Sequence, residues 1–346
     1  MIPYILVVFF VLFFVLYEQK ILGRKAVLVP LFLLVALASI RSNRVGTDSG
    51  TYTAAYTEEY YPYEFGFDSN IEYGYQLLDS IIIRFSYDYF WLFLVTSIIV
   101  VMSHLITIKK ISVNYFWSIF IYMTFGYYTF FFNGLRQGLA MAICLLGLPY
   151  LIQEKFLPYL IVITFASTFH ISALIMLAFY FLVHIKLKLE FKVVFCAIIS
   201  VLSSQILIQY FAKNNARYEH YTQQAEQPGG YITLAFYFIV AFFIYIYGLK
   251  VRKDDMAFNK LEQIFLCGLA LVFPIALLGT DPSGPQRIMY YFVDTVIFLI
   301  PYVLKRFNSF YFNLFFFVIS IIYFILITMR FSNLYPYQIN SIFGIF

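Results

Sequence analysis

The chain has 346 residues, of which 62% are hydrophobic and 12% charged, with a formal net charge of +5. That composition excludes a soluble globular protein and leaves a chain whose main solvent is the bilayer. The modest positive charge is ordinary for such a protein and gives no argument for nucleic acid.

Eleven apolar stretches alternate with short polar segments, at about 2–17, 26–40, 89–108, 113–132, 135–152, 156–183, 191–210, 231–249, 261–279, 288–304 and 309–329. Most are long enough, or nearly so, to cross a hydrocarbon core of roughly 30 Å. A backbone in lipid must satisfy its own polar groups, so the stretches predict an all-α polytopic membrane protein with about 11–12 transmembrane helices. Spans and short connections use nearly all of residues 1–346, which predicts one integral membrane domain. No positive charge precedes the first stretch, whereas Lys20, Arg24 and Lys25 follow it. It therefore reads as a first span with its N-terminus outward, not as a cleaved signal peptide.

The basic residues sort by side. Lys20, Lys25, Lys109, Lys110, Lys155, Lys186, Lys188, Lys192, Lys250, Lys253, Lys260 and Lys305 share one side, which the positive-inside rule makes cytoplasmic. On the other side Lys213 is accompanied by arginines: Arg41, Arg44, Arg84, Arg136, Arg217, Arg287 and Arg330. The rule explains the lysines but not the arginines. Guanidinium is shaped for planar oxyanions such as phosphate, so the outer face points to a phosphorylated ligand.

The largest polar insertion, 41–88, lies between the second and third stretches on the outer face. It carries the carboxylates of Asp48, Glu58, Glu59, Glu64, Asp68, Glu72, Asp79 and Asp88. One short helix is expected from near Thr47–Asp48 to before Pro62. Another is expected over about 70–86, lying in the membrane surface with Ile71, Leu78, Ile82 and Phe85 on one face. Ser69 and Glu72 fit a capping box, which competes with a catalytic role for Glu72. The tyrosines Tyr52, Tyr56, Tyr60, Tyr61, Tyr63, Tyr73 and Tyr75 serve either as an interfacial belt or as a surface for stacking sugars.

The stretch 156–183 is too short to go out and return as two full spans, yet Lys155 and Lys186 must both be cytoplasmic. Each leg of about 14 residues rises roughly 21 Å. A re-entrant hairpin follows, with Ser167, Thr168, Phe169 and His170 at a tip recessed below the outer surface. His170 then acts as a base, a donor to phosphate, or a tether for the tip.

Asn133-Gly134-Leu135-Arg136-Gln137-Gly138 opens a span at its outer end. Gly134 and Gly138 form a small-xxx-small pair that admits another helix. Arg136 sits at a helix N-terminus, where the dipole opposes a cation unless an anion is bound. Asp281 to Arg287 repeats this arrangement, and Asp294 is an acidic residue inside the following span, either functional or paired. Arg41 and Arg44 precede Val45-Gly46-Thr47-Asp48. Three separated arginine sites suit a diphosphate. Cys144, Cys196 and Cys267 all lie in apolar stretches and read as buried thiols; no Cys/His spacing suggests a metal.

Arg41 to Asp48 with Tyr52, Glu72-Tyr73-Gly74-Tyr75, Arg136-Gln137-Gly138-Leu139-Ala140, Phe169-His170 with Ser172-Ala173, and Arg287 with Tyr290 resemble the EpsG-type, Wzy-like bacterial polysaccharide polymerases over about residues 41–291. The resemblance implies a metal-independent, cofactor-free, inverting glycosyltransferase of the bacterial inner membrane with its site facing the periplasm or outside. It joins undecaprenyl-diphosphate-linked oligosaccharide repeats into O-antigen, capsule or exopolysaccharide, in some systems with a chain-length regulator protein. Asp48, Glu72 and His170 become the candidates for proton acceptance, and Arg41, Arg44, Arg136 and Arg287 those for diphosphate binding. Tyr52, Asn133, Gln137, Tyr290 and Asp294 support them. A lipid-linked glycan ligase would use the same leaving group. A lipid-linked oligosaccharide flippase belongs to a different class, and its site would lie near the midplane, open to both sides in turn.

Overall fold

Each apolar stretch is occupied by helix. The computed structural model describes residues 1–57, 67–214, 231–277, 284–307 and 309–344. Its helices run, in order, α1 Ile2–Ile21, α2 Leu28–Ser39, α3 Ser49–Thr57, α4 Tyr73–Phe85, α5 Phe90–Ile111, α6 Tyr115–Thr124, α7 Tyr127–Phe130 and α8 Leu135–Ile152. They continue with α9 Phe156–Ser167, α10 Ile175–His184, α11 Leu189–Asn214, α12 Tyr231–Val251, α13 Met256–Leu277, α14 Tyr290–Val293, α15 Val296–Phe307 and α16 Phe310–Arg330. Among the described residues the extended structure is one isolated antiparallel bridge, Arg41 to Ile339.

The helices α1, α5, α8, α12, α13 and α16 are each long and apolar enough to cross a membrane. A seventh span is formed if the segments Pro285–Val293 and Val296–Phe307, bent by 43°, are taken together. Lysines or arginines close the last turns of α1, α5, α12 and α15, where they complement the helix dipole. The stretch 113–132 is not one helix: α6 stops before Gly126, whose φ of +86° breaks the chain into the single turn of α7.

The contacts fall into two compact units. One comprises Met1–Tyr150, Leu157–Leu174 and Leu304–Phe346; the other comprises Leu151–Phe156 and Ile175–Val303.

In the first unit, the segments assigned to the lysine side meet at one end. Lys25 Nζ donates to the Lys109 carbonyl at 2.7 Å, and Lys110 lies over the Tyr150 ring at 5.5 Å. Segments assigned to the arginine side meet at the other. There the chain after α16 folds back on the loop after α2: Ser42 N–H donates to Gln338 O, Asn340 N–H to Ile40 O, and Gly46 N–H to Asn333 O, at 2.8, 2.8 and 2.9 Å. Tyr337 donates to the Leu37 carbonyl at 2.7 Å, and the Asn340 amide to Asp88 at 3.0 Å. Tyr337 and Gln338 thus tie the segment after α16 to α2 and the loop that follows it.

The stretch 156–183 breaks at 168–170, as a hairpin requires, between the 12 residues of α9 and a 3-10 turn, Ile171–Leu174, that leads into α10. At 1.5 Å per residue the first leg rises roughly 18 Å, short of a full crossing. In the second unit, Phe156 at the start of the first leg meets Tyr180 and Phe181 near the end of the second, with ring centroids 5.1 and 5.5 Å apart.

The helix expected near 70–86 forms as α4, but its faces differ from the expectation. Ile82 turns inward with Tyr75, Gln76, Ser80 and Ile83, while Tyr73, Leu77, Ile81 and Phe85 form an exposed stripe. Spacing of four residues puts that stripe on one face, as a helix lying in the membrane surface requires. The expected joint face of Ile82 with Phe85 is therefore split, because both sides of the helix are apolar and one packs on the protein.

Candidate functional site

The Val45-Gly46-Thr47-Asp48 loop is strapped to the entry of α8. Thr47 N–H and Oγ1 both donate to Asn133 Oδ1, at 2.8 and 3.3 Å, and Ser49 Oγ donates to the Phe132 carbonyl at 3.0 Å. Gly46 has φ +101°, and a Cβ there would sit 2.8 Å from Ser49 Oγ, so glycine is required both by conformation and by space. Asn133 is 9% exposed. Its role is to lock this loop three residues ahead of Arg136.

Arg136, in the first turn of α8, forms the centre of the site. Its Nη1 donates to Glu72 Oε2 at 2.6 Å, it donates also to the Tyr52 hydroxyl, and it lies over the Tyr75 ring at 5.9 Å. The side chains of Arg136 and Glu72 are 6% and 14% exposed, so the pair is largely desolvated. Glu72 Oε1 accepts a second bond, from the Ile171 N–H at 3.2 Å, beside His170 at the hairpin tip. The anion that the dipole argument demanded at this helix start is thus supplied by the chain itself. The capping-box reading of Glu72 does not hold: α4 begins at Tyr73, Glu72 is its N-cap residue rather than its third helical residue, and its carboxylate bonds outside the helix.

Gly74 brings the hairpin tip onto α4. Its N–H donates to the Thr168 carbonyl at 2.8 Å, and a Cβ there would fall 2.7 Å from that same oxygen. Gly138 serves a different contact from the expected one. A Cβ there would lie 2.5 Å from the Phe131 Cβ, so it accommodates the turn entering its own helix rather than a neighbouring helix.

The remaining residues divide by environment. Asp48 is half-buried just before α3, its carbonyl accepting from Tyr52 N–H at 3.2 Å. His170 is half-buried, its Nδ1 2.6 Å from Ser172 Oγ and 3.4 Å from Ser172 N. A backbone N–H can only donate, which makes Nδ1 the acceptor and assigns the proton of the neutral ring to Nε2. Arg44 is exposed. Arg41 is 0% exposed, with its guanidinium 3.6 Å from the Phe93 ring centroid and 4.1 Å from that of Phe132, and its Nη1 bonded to the Ala38 carbonyl. It is an interior cation held by aromatic faces, so of the two arginines Arg44 is the exposed one.

Tyr52 and Tyr75 meet edge to face at 5.9 Å, and Tyr56 donates to Asp79 at 2.6 Å. Burial raises the Asp79 carboxyl above its ordinary value, opposed by that hydrogen bond. Glu58, Glu59, Tyr60, Tyr61, Pro62, Tyr63 and Glu64 lie outside the described residues, as do Arg217, His220, Asp281, Pro282 and Ser283.

The second unit carries Arg287, Tyr290 and Asp294. Arg287 lies in a 3-10 turn, Pro285–Met289, and Asp294 is 1% exposed at the bend between α14 and α15. Tyr290 lies within electrostatic reach of both. Gln137, in the first unit, is buried.

A chain of apolar helices with a break at 168–170 and a desolvated carboxylate–arginine pair beside that break is a multi-pass membrane protein with a polar site at one end of its helices. Residues 24–339 match the model of the EpsG family, and the chain belongs to that family. Membership supports a part in polysaccharide biosynthesis. Comparison with curated proteins and with solved structures gives no match.

Proposed function

We propose that the protein is a polysaccharide polymerase that joins undecaprenyl-diphosphate-linked repeat units on the outer face of the bacterial inner membrane. The observation that carries the reading is the Glu72 carboxylate, fixed between Arg136 and the amide of Ile171. In the reaction a hydroxyl at the non-reducing end of the acceptor attacks the anomeric carbon of the donor from the face opposite the diphosphate. A glycosidic C–O bond forms, the C–O bond to diphosphate breaks, and the hydroxyl proton passes to a base.

Of Asp48, Glu72 and His170, we assign the base to Glu72. Each carboxylate oxygen has two acceptor sites, so the bonds from Arg136 and Ile171 fix the group without exhausting it. His170, with its proton on Nε2, acts as a donor to the acceptor sugar or to phosphate. Asp48 orients the loop that Asn133 holds. Arg44 and Arg136 contact the diphosphate of the donor, stabilising charge that develops as it departs; Arg287 is proposed as a phosphate contact of the second unit. Tyr52, half-buried beside Arg136, is the tyrosine left to meet sugar, with Tyr75 buried behind it, and a chain-length regulator protein is the expected partner.

A strain lacking the protein tests the reading through its polysaccharide. A polymerase defect leaves single capped repeats in place of long chains. Loss of all repeats at the surface assigns the protein to an earlier step, and lipid-linked oligosaccharide transport by the purified protein in proteoliposomes would mark a flippase.

A further inference from the structure

The lysine-bearing segments of the second unit enclose a cleft of about 530 Å³, built from the loop after α8, the junction of α10 with α11, the end of α12 and the start of α13. Lys186, Lys188, Lys192, Arg252 and Lys260 line it, against the carboxylates of Glu154 and Glu190. Two of the cations are neutralised in place. Lys260 Nζ donates to Glu154 Oε1 at 2.8 Å, and Arg252 donates through Nε and Nη2 to both oxygens of Glu262, at 2.6 and 2.8 Å.

Lys192 differs. It is 2% exposed, yet it lines the cleft, and its Nζ donates to Gln263 Oε1 at 2.5 Å and to the Val183 carbonyl at 3.4 Å. Among the described residues both of its acceptors are neutral. A lysine that only snorkels carries its ammonium into water. This one keeps it buried, where a cation is costly unless an anion accompanies it. Lys186 and Lys188 stand exposed at the rim.

We propose that this cleft binds a phosphate-bearing anion, with Lys192 at its floor and Lys186 and Lys188 at its rim. A single carboxylate would leave such a set only partly matched. A phosphate offers three or more oxygens to ammonium groups arriving from floor and rim, and lysine serves phosphate well as a point charge. The ligand is either the headgroup of an anionic phospholipid or a soluble phosphorylated metabolite. The site does not depend on the polymerase reading and stands or falls without it.

The full chain in nanodiscs tests this. Thermal unfolding is followed in phosphatidylcholine discs, in discs containing phosphatidylglycerol, and in phosphatidylcholine discs with inorganic pyrophosphate. Saturating anion should raise the wild-type midpoint by roughly 3–6 °C. A rise with phosphatidylglycerol alone assigns the lipid headgroup, and a rise with pyrophosphate assigns a soluble ligand. Lys192→Met should abolish the rise, and the double variant Lys186→Ala/Lys188→Ala, which alters exposed side chains only, should at least halve it. Lys253→Ala, outside the cleft, should retain it. No rise with either probe, or an equal rise in wild type and in the rim variant, overturns the proposal.

Discussion

Glu72 and Arg136 are 64 positions apart in sequence and 2.6 Å apart in space. Removing one partner of so desolvated a pair leaves an uncompensated charge, at a cost of about 3–5 kcal/mol. Glu72→Gln should therefore lower both thermal stability and turnover. Arg136→Lys keeps the charge but loses the geometry that serves Glu72 and Tyr52 together, so it should insert normally and retain little activity. Arg84→Lys, on the exposed side of α4, should be nearly silent in the same assay. Arg41 behaves differently, because its guanidinium lies among aromatic rings. Arg41→Lys should lower the unfolding midpoint, with a loss of about 2 kcal/mol or more from the cation–π contacts, yet leave donor KM unchanged in the protein that remains folded. A rise in donor KM without loss of stability would return Arg41 to the ligand side.

At this scale the sequence named the candidates but not their pairing. Arg41 and Arg44 both follow an apolar run, and hydropathy does not say which one turns inward. Glu72 was divided between cap and catalyst because Ser69 and Glu72 have capping spacing, and the start of α4 at Tyr73 removes the capping box and leaves the catalytic role as a proposal. The Ile171 amide carries no side-chain signal at all.

Among the elements, the hairpin was legible because lysines on both flanks impose a topological constraint that a short stretch can meet only by turning back. The break at Gly126 was not, since an apolar run with one glycine reads as continuous helix. The fold-back of residues 333–340 onto the loop after α2 was missed because its contacts are mostly between backbone groups, which leave no trace in composition. Gly74 joins two elements whose approach admits no Cβ. Gly74→Ala should displace the hairpin tip from α4, weaken the bond from Ile171 to Glu72, and reduce turnover by about tenfold or more, a loss of at least 1.4 kcal/mol in transition-state stabilisation. Normal kinetics in an inserted Gly74→Ala protein would show that the tip is not part of the reacting site.

Within the first unit, segments assigned to the lysine side meet at one end and segments assigned to the arginine side meet at the other. The assignment of sides predicts that Asp255→Cys, in a background lacking Cys144, Cys196 and Cys267, is protected from an impermeant thiol reagent applied outside, whereas Arg44→Cys is labelled. The central claim is that Glu72, held by Arg136, takes the proton in a polymerising glycosyl transfer. Its most direct test is product length, measured with purified protein in proteoliposomes supplied with a lipid-diphosphate-linked repeat unit. Wild type should give a ladder of lengthening lipid-linked chains, while Glu72→Gln and Arg136→Lys, at equal amounts of inserted protein, should leave the repeat unit almost unconsumed. A full ladder from Glu72→Gln at the wild-type rate would contradict the account.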